Sequence, residues 1–218
     1  MRHMPPLRAG RVSMLCTRAL PPMEGARFFR MGVLGDGSCF FHSLCTAIDF
    51  MGYVSEEESS GGHRQRITME MRRQFAEDMQ KGTWNSFVKS MHPEVRARVL
   101  DGTGRTLETV RANMLDPTFW ADELLIRFVS WIMHLNVIFL DDMGDQLYCG
   151  VENMSKGDNL TLPTIVVVWV GRSHFEPVGV LLDQSRDREV VAKFVFTPGE
   201  DDAIVKHIVR AYREQCNA

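Results

Sequence analysis

Residues 35–44 read Gly35-Asp36-Gly37-Ser38-Cys39-Phe40-Phe41-His42-Ser43-Leu44, a glycine-rich turn joined directly to an apolar helix pattern. The apolar residues Phe40, Leu44 and Ile48 recur at helical spacing, which predicts a helix with one buried face that begins near Cys39. Cys39 therefore stands where a tight turn enters a helix.

This position makes Cys39 a candidate nucleophile. The partial positive charge at a helix N-terminus lowers the pKa of a thiol, and only the thiolate attacks. The turn from Asp36 to Cys39 also offers free backbone N–H groups for the oxyanion of an acyl transfer, and Gly35 and Gly37 allow a strained, closely approached backbone. The simpler alternative is a buried structural cysteine, since cysteine is among the most buried residue types.

A thiolate nucleophile needs a base, and His174 has the most favourable place in the sequence. It follows the β-branched run 164–170 and the turn 171–173, and residues at the end of a buried strand project from a rigid platform. Glu176 lies two residues later, on the same face of an extended segment, where a carboxylate would orient the imidazole. The alternatives are a surface turn histidine and a solvated strand glutamate.

The hydrophobic pattern predicts helices in the first half of the chain and strands in the second. Residues 1–27 show little periodicity and read as a loose lead-in. The predicted helices cover 39–48, 63–81 (ended by Gly82), shorter pieces of 84–113 broken at Pro93 and 101–104, 122–134 and 202–213. The predicted strands cover 136–140, 146–151, 164–170, 174–178, 180–182 and 190–196. We expect an α/β (α+β) layer fold with a small mixed sheet flanked by helices.

Composition limits the function. The chain has 218 residues, 44% of them apolar, which suits one domain, and its net charge of -3 gives no reason to expect nucleic acid as a partner. No apolar run approaches the roughly 20 residues that span a bilayer, and the first 25 residues lack the core of a signal peptide. Five cysteines at scattered spacings favour neither a zinc site nor a disulfide framework. We expect a reducing compartment, cytoplasm or nucleus, and no metal or cofactor.

Three blocks carry a family resemblance when they are taken in order: Asp36-Gly37-Ser38-Cys39-Phe40-Phe41-His42-Ser43, Trp120-Ala121-Asp122-Glu123-Leu124, and a strand that ends in His174-Phe175-Glu176-Pro177. They resemble the nucleophile block, the central tryptophan helix and the closing strand of the ovarian tumour (OTU) cysteine proteases, which are mostly deubiquitinases. The resemblance covers residues 28–198. It leaves 1–27 as a flexible or accessory segment and 199–218 as a C-terminal helix packed on the domain.

The resemblance implies an OTU-like fold and a ubiquitinyl hydrolase without cofactors. It makes Cys39 the nucleophile and His174 the base, and it puts Asp36, Gly37 and Ser38 in the oxyanion turn. Trp120, Asp122 and Phe175 become candidate substrate contacts. We expect a monomer whose partners are ubiquitin or polyubiquitin chains, or other ubiquitin-like modifiers, with no membrane partner.

The chain departs from the family pattern at two positions. Glu176 stands where the family usually has Asp or Asn, so the third catalytic role rests on a longer side chain. Ala121 replaces the glycine that follows the tryptophan. Compact OTU domains occur in viral as well as cellular proteins, so the pattern does not indicate an origin.

The arginines of the ubiquitin tail favour a groove with carboxylates. Asp116, Asp122 and the run 56–58 are candidates, although an acidic run is more often a solvated loop. Three alternatives stay open: an inactive OTU-like module that only binds ubiquitin, a thiol hydrolase acting on another modifier or a small amide, and an interaction protein in which Cys39 is merely buried.

Overall fold

The computed structural model describes residues 6–15, 17–54, 61–143, 146–149, 162–183 and 190–216. The helices are α1 (Cys39–Ile48), α2 (Phe50–Val54), α3 (Gly61–Asp78), α4 (Lys81–Ser90), α5 (Pro93–Val99), α6 (Leu107–Leu115), α7 (Glu123–Ile132) and α8 (Asp202–Cys216). The strands are β1 (Val12–Met14), β2 (Ala26–Met31), β3 (Asn136–Asp141), β4 (Gln146–Cys149), β5 (Thr164–Val170), β6 (His174–Asp183), β7 (Val190–Lys193) and β8 (Val195–Phe196). The predicted mixed α/β class is confirmed.

One mixed sheet organises the molecule. Its strands follow the order β1-β2-β6-β5-β3-β4, with β7 added to β6 and β8 to β5. Strands β3 and β5 are parallel, with Asn136 opposite Thr164, and β6 runs antiparallel to β5, with His174 opposite Val170. The C-terminal ends of β3 and β5 therefore lie beside the N-terminal end of β6, at the same end of the strands.

Both faces of the sheet are covered, which explains the almost uninterrupted β-branched sequence of β5. Ile165 and Val167 pack in the core cluster beneath the helices α1 to α7. Val166, Val168 and Val170 belong to the opposite cluster, which the apolar side of α8 closes. The sheet thus separates two cores, and a side chain on β6 faces one or the other by its parity.

The helical half differs from its prediction at two boundaries. The helix predicted to end at Gly82 ends at Asp78, and α4 begins at Lys81 with Gly82 in its first turn. Gly82 does not have the positive φ of a glycine that caps the end of a helix. Pro93 begins α5 rather than breaking a helix, because the first helical position needs no N–H donor.

The lead-in is more structured than its sequence predicts. Val12–Met14 forms the edge strand β1, which pairs antiparallel with β2. Leu15, Ala19 and Leu20 are buried in the cluster beneath α8. These residues are too few and too irregularly spaced to produce a periodic signal, so only the tertiary contacts identify them as core.

None of the described helices is both long and apolar enough to cross a membrane.

Candidate active site

The turn before α1 takes the shape that its glycines suggest. Gly37 has a φ of +90°, a left-handed conformation that residues with a Cβ rarely adopt. A Cβ on Gly37 would also stand 2.9 Å from the carbonyl oxygen of Pro117 and 3.0 Å from that of Thr118. Only glycine fits here, and the turn is pressed against the loop between α6 and α7.

Cys39 is the first residue of α1, as predicted, and only 4% of it is exposed. Burial raises the pKa of its thiol above the usual range. Hydrogen bonds from the backbone N–H groups of Phe175, of Phe40 and of Cys39 itself lower that pKa, but they do not outweigh burial. The predicted depression of the thiol pKa at the helix N-terminus is therefore wrong for the free protein. The same contacts place the thiol beside the residue that follows His174.

His174 begins β6 and is 7% exposed. Its Nδ1 and Cε1 lie 3.8 Å and 3.7 Å from the point where a Cβ on Gly35 would stand, so the ring borders the turn that leads to Cys39. Its Nε2 faces the opposite way, 3.8 Å from Oε1 of Glu176. Burial lowers the pKa of His174, and the nearby His42 and Arg30 lower it further.

Glu176 is completely buried, on the same face of β6 as His174. Its Oε2 accepts a hydrogen bond of 2.7 Å from Nη1 of Arg30, and its Oε1 accepts one of 2.6 Å from the backbone N–H of Leu7. Burial raises the pKa of Glu176, against the lowering effect of Leu7 and Arg30. The separation of 3.8 Å from His174 is too long for a hydrogen bond. Among the residues that the structure describes, Nε2 of His174 has no hydrogen-bond partner.

Asp36 stabilises the turn rather than facing His174. Its carboxylate lies 3.1 Å from Nε2 of the fully buried His42, and it accepts a hydrogen bond of 3.1 Å from the backbone N–H of Ser38. The other ring nitrogen of His42 contacts the hydroxyl of Thr68 at 2.8 Å. Burial would raise the pKa of Asp36, but the hydrogen bonds and charge of His42 together with Ser38 lower it to about 2. Asp36 therefore joins the turn to α1 and α3.

Ser38 fixes the other side of the turn. Its hydroxyl donates to the carbonyl of Pro117 at 3.0 Å and accepts from Nη1 of Arg72 at 3.2 Å. Arg72 is fully buried on α3, and it also donates to the carbonyls of Asn113 and Met114 at the end of α6. A cavity of about 350 Å³ opens beside this turn, lined by residues that include Asp36, Ser38, Gln65, Thr68 and Thr118.

The remaining candidate contacts have varied surroundings. The ring of Phe175 is buried against Phe40 and Trp169, so it belongs to the core and not to an open groove. Asp122 caps α7 by accepting from the N–H of Leu125 and forms an ion pair with Arg105. Trp120 is 53% exposed and is the one of these side chains that is open to a partner.

The candidate carboxylates for the ubiquitin tail have different outcomes. Asp116 is exposed in the loop after α6, where its Oδ1 accepts from Thr118. The carboxylate of Asp122 already caps α7 and pairs with Arg105. The run 56–58 lies outside the described residues.

Three buried residues of the site were missed in the sequence: Arg30, His42 and Arg72. Arg30 stands in the apolar stretch 28–34, and a charge in such a stretch is a signal for a buried partner. His42 and Arg72 carry no such signal, because the groups that they bind are distant in sequence.

No known protein family and no curated protein matches the sequence. Among solved structures, an ovarian tumour (OTU) domain in complex with ubiquitin matches with a TM-score of 0.50 and 16% identity over 86% of each chain. An OTU deubiquitinase from Wolbachia pipientis has a TM-score of 0.44 and 16% identity, over 72% of this chain and 90% of its own. The Hazara virus OTU bound to ubiquitin has a TM-score of 0.41 and 18% identity, over 78% of this chain and 96% of its own. A sequence identity of 16% supports a likeness of the fold alone. The chain therefore has the fold of an OTU domain.

Proposed function

We propose that this chain is a cysteine-type deubiquitinase that hydrolyses isopeptide bonds after the C-terminal glycine of ubiquitin, with Cys39 as the nucleophile and His174 as the base. One observation carries the proposal. The Cys39 thiol begins α1 within reach of the Phe175 backbone N–H, and the neighbouring His174 presents its ring to the turn that leads to Cys39. Cys39 and His174 thus lie on adjoining segments, which supports their proposed roles as nucleophile and base.

The pKa shifts favour an uncharged resting pair. Burial raises the pKa of the thiol and lowers the pKa of the imidazole, so both groups are neutral in the free enzyme near pH 7. His174 takes the thiol proton as the sulfur forms its bond to the substrate carbonyl. It returns that proton to the leaving lysine amine, and water then hydrolyses the thioester. Backbone N–H groups of the first turn of α1, which have no acceptor within the helix, are placed to stabilise the oxyanion.

The low exposure of Cys39 favours a tail of the ubiquitin kind. Only 4% of Cys39 is exposed, which favours a substrate without side chains at the scissile bond, and ubiquitin ends in two glycines. The exposed Asp116 is a candidate partner for the arginines of that tail. The OTU domain that shares this fold was solved in complex with ubiquitin, which supports the same partner for this chain.

The test compares two cysteine variants. Cys39→Ala should abolish cleavage of ubiquitin chains while the protein stays folded. Cys45→Ala should retain cleavage, because Cys45 is a buried thiol beside Thr68 whose pKa burial raises to about 11. Each variant is incubated with a panel of all diubiquitin linkages, and products are resolved by gel. Persistent cleavage by Cys39→Ala would exclude Cys39 as the nucleophile.

One observation favours a second candidate, a module that binds ubiquitin without cleaving it. Glu176 lies 3.8 Å from Nε2 of His174, and its oxygens already accept from Arg30 and Leu7. A ubiquitin-vinyl-type electrophile separates the candidates, because a pure binder forms no covalent adduct. Cleavage of a different modifier fusion, but not of ubiquitin, would instead identify a hydrolase for another modifier.

A further inference from the structure

Two groups outside the Cys39–His174 pair hold the buried carboxylate of Glu176. Arg30 is 3% exposed and binds Oε2 at 2.7 Å, and the Leu7 backbone N–H binds Oε1 at 2.6 Å. Oε1 is also the oxygen that faces Nε2 of His174. Both oxygens of the carboxylate are therefore fixed by partners from elsewhere in the chain.

The fold delivers Arg30 to this place through strand register. Arg30 lies on β2 opposite Val178 of β6, two residues beyond Glu176. Partners across an antiparallel pair share a face, so Arg30, Val178 and Glu176 all point to the α8 side of the sheet. A carboxylate sealed there needs a compensating charge, which Arg30 supplies.

The Leu7 amide belongs to a segment that is hydrogen-bonded to the backbone of Gly32. Gly10 donates to the carbonyl of Gly32, and Gly32 donates to the carbonyl of Arg11, each at 2.8 Å. A Cβ on Gly32 would stand 2.2 Å from the carbonyl oxygen of Arg8. Residues 7–11 thus lie directly on the backbone that follows β2, with the first amide of the segment aimed at Glu176.

We propose that Arg30 and the Leu7 backbone amide are positioning groups that keep Glu176 ionised and aimed at His174, so that residues 7–11 complete the support of the catalytic pair. This inference rests on the proposed function of Cys39 and His174. The third role falls to a glutamate, whose extra methylene places its carboxylate between β2 and the N-terminal segment. When His174 takes the thiol proton, the fixed carboxylate faces the new positive charge.

The charges around the pair determine the direction of the expected effect. Glu176 is affected electrostatically by Arg30 on β2 and by Asp142, the residue after β3. His174 is affected by His42, Arg30 and Asp36. Removing the Arg30 charge raises the proton affinity of the His174–Glu176 pair, whichever of the two residues takes the proton. The active form then appears only at higher pH.

The first experiment measures the pH profile of ubiquitin-chain cleavage for Arg30→Met and Arg30→Lys. Arg30→Met should move the acid limb of kcat/KM upward by about one pH unit, equivalent to about a tenfold loss below the limb. Arg30→Lys should restore most of the shift, because it keeps the charge. A lower rate with an unmoved limb would overturn the proposal in favour of a merely structural role.

A second pair of variants tests the N-terminal segment. Leu7→Pro removes the N–H donor and should move the same limb in the same direction, whereas Leu7→Ala keeps the donor and should not. All variants are first compared with the wild-type chain by thermal unfolding. Equal limbs for Leu7→Pro and Leu7→Ala would overturn the part assigned to residues 7–11.

The Glu176→Gln background checks that Arg30 acts through Glu176. Arg30→Met combined with Glu176→Gln leaves neither buried charge unpaired, so this double variant guards against failure to fold. Arg30→Met should cause a clearly smaller shift in this background, because only the direct effect of its charge on His174 remains. A shift as large as that in the wild-type background would show that Arg30 acts on His174 without Glu176 and would overturn the positioning role.

A readout without substrate separates this proposal from the proposed function. The His174 imidazole is titrated by NMR in Cys39→Ser, with His174→Gln used for assignment. Arg30→Met should raise the midpoint of this titration by about one unit even if no ubiquitin chain is cleaved. If the His174 midpoint does not move, the positioning role is overturned. If the midpoint moves but the wild-type chain cleaves no ubiquitin chain, the positioning role stands and ubiquitin is rejected as the substrate.

Discussion

At the scale of single residues, Glu176 depends on its neighbours more than any other member of the site. Its carboxylate is fully buried, with Arg30 at 2.7 Å and the Leu7 N–H at 2.6 Å. Removing the carboxylate of a buried ion pair leaves the opposite charge without compensation, which typically costs about 3–5 kcal/mol of stability. A substitution here is expected to change both stability and the proposed catalysis, so the two effects require separate variants.

Glu176→Gln should lower kcat/KM by about 10- to 100-fold, because the neutral amide no longer stabilises the imidazolium. Glu176→Ala should show a similar partial loss of rate together with a larger loss of stability, since Arg30 then has no acceptor at Oε2. Rates are measured on diubiquitin, and stability by urea unfolding. A wild-type rate for Glu176→Gln would show that another group, or none, orients His174.

The sequence predicted the positions of Cys39 and His174 in the fold, because a glycine turn and a buried strand are local patterns. Their roles as nucleophile and base were selected mainly through the three-block resemblance and stay predictions. The thiol pKa was predicted in the wrong direction, because the burial of Cys39 in the core is a tertiary effect that a helix-terminus argument omits. The partnership of Asp36 with His42 and Thr68 depends on the packing of α1 against α3 and has no sequence pattern.

At the scale of elements, the turn at 35–38 is a rigid part held from two sides. Gly37→Ala should destabilise the protein by about 1–3 kcal/mol, because φ of +90° is strained for alanine and its Cβ would press on Pro117. The matched control Gly35→Ala should stay within about 1 kcal/mol, since a Cβ there makes ordinary contact with the His174 ring at 3.7 Å. Urea unfolding compares the two, and equal losses would contradict the argument.

Helix α3 contributes Arg72, which connects the turn to the end of α6. The guanidinium donates to Ser38, to Asn113 and to Met114, and burial lowers its pKa to about 10. Arg72→Ala should destabilise the fold by about 3 kcal/mol or more, because several buried carbonyls lose their donor. Arg73→Ala is the control on the same helix. Arg73 is 53% exposed, and its loss should cost under about 1 kcal/mol.

The periodic pattern predicted α3 but only part of its buried side. The apolar stripe Ile67, Met71, Phe75 and Met79 was expected to face the core. Phe75 is buried on the helix and Met79 just after it, as predicted, but Ile67 and Met71 are only partly buried. The other buried positions of the helix are Arg64, Thr68, Arg72 and Ala76. A polar side chain whose partners are backbone carbonyls satisfies the interior as well as an apolar one, and hydrophobic periodicity does not detect it.

At the scale of the whole molecule, the residues of the candidate site lie on both faces of the sheet. Phe175 and Phe40 pack in the core beneath α1, and Glu176 and Arg30 lie on the α8 side with Val178. His174, at the start of β6, stands at the edge where both sides meet. Strand parity explains this division. The mixed α/β class could be predicted because helix and strand patterns are local in the sequence, and the OTU-like fold because the three blocks occur in order. The contribution of residues 7–11 could not, because it depends on pairing with the backbone after β2.

The acid stability of the whole fold should depend on Asp36. Its pKa falls from 3.8 to about 2 on folding, so the ionised carboxylate stabilises the folded state by about 1–2 kcal/mol after solvent screening is taken into account. This contribution is complete above pH 3.8 and is lost as the pH falls toward 2. Asp36→Asn should therefore be less stable than the wild-type chain at pH 6, and the difference should shrink as the pH falls through that window. Urea unfolding from pH 6 to pH 2 measures it, with the exposed Glu77→Gln on α3 as the control for net charge. A difference that stays constant with pH would show that Asp36 acts through its shape and hydrogen bonds and not through its charge beside His42.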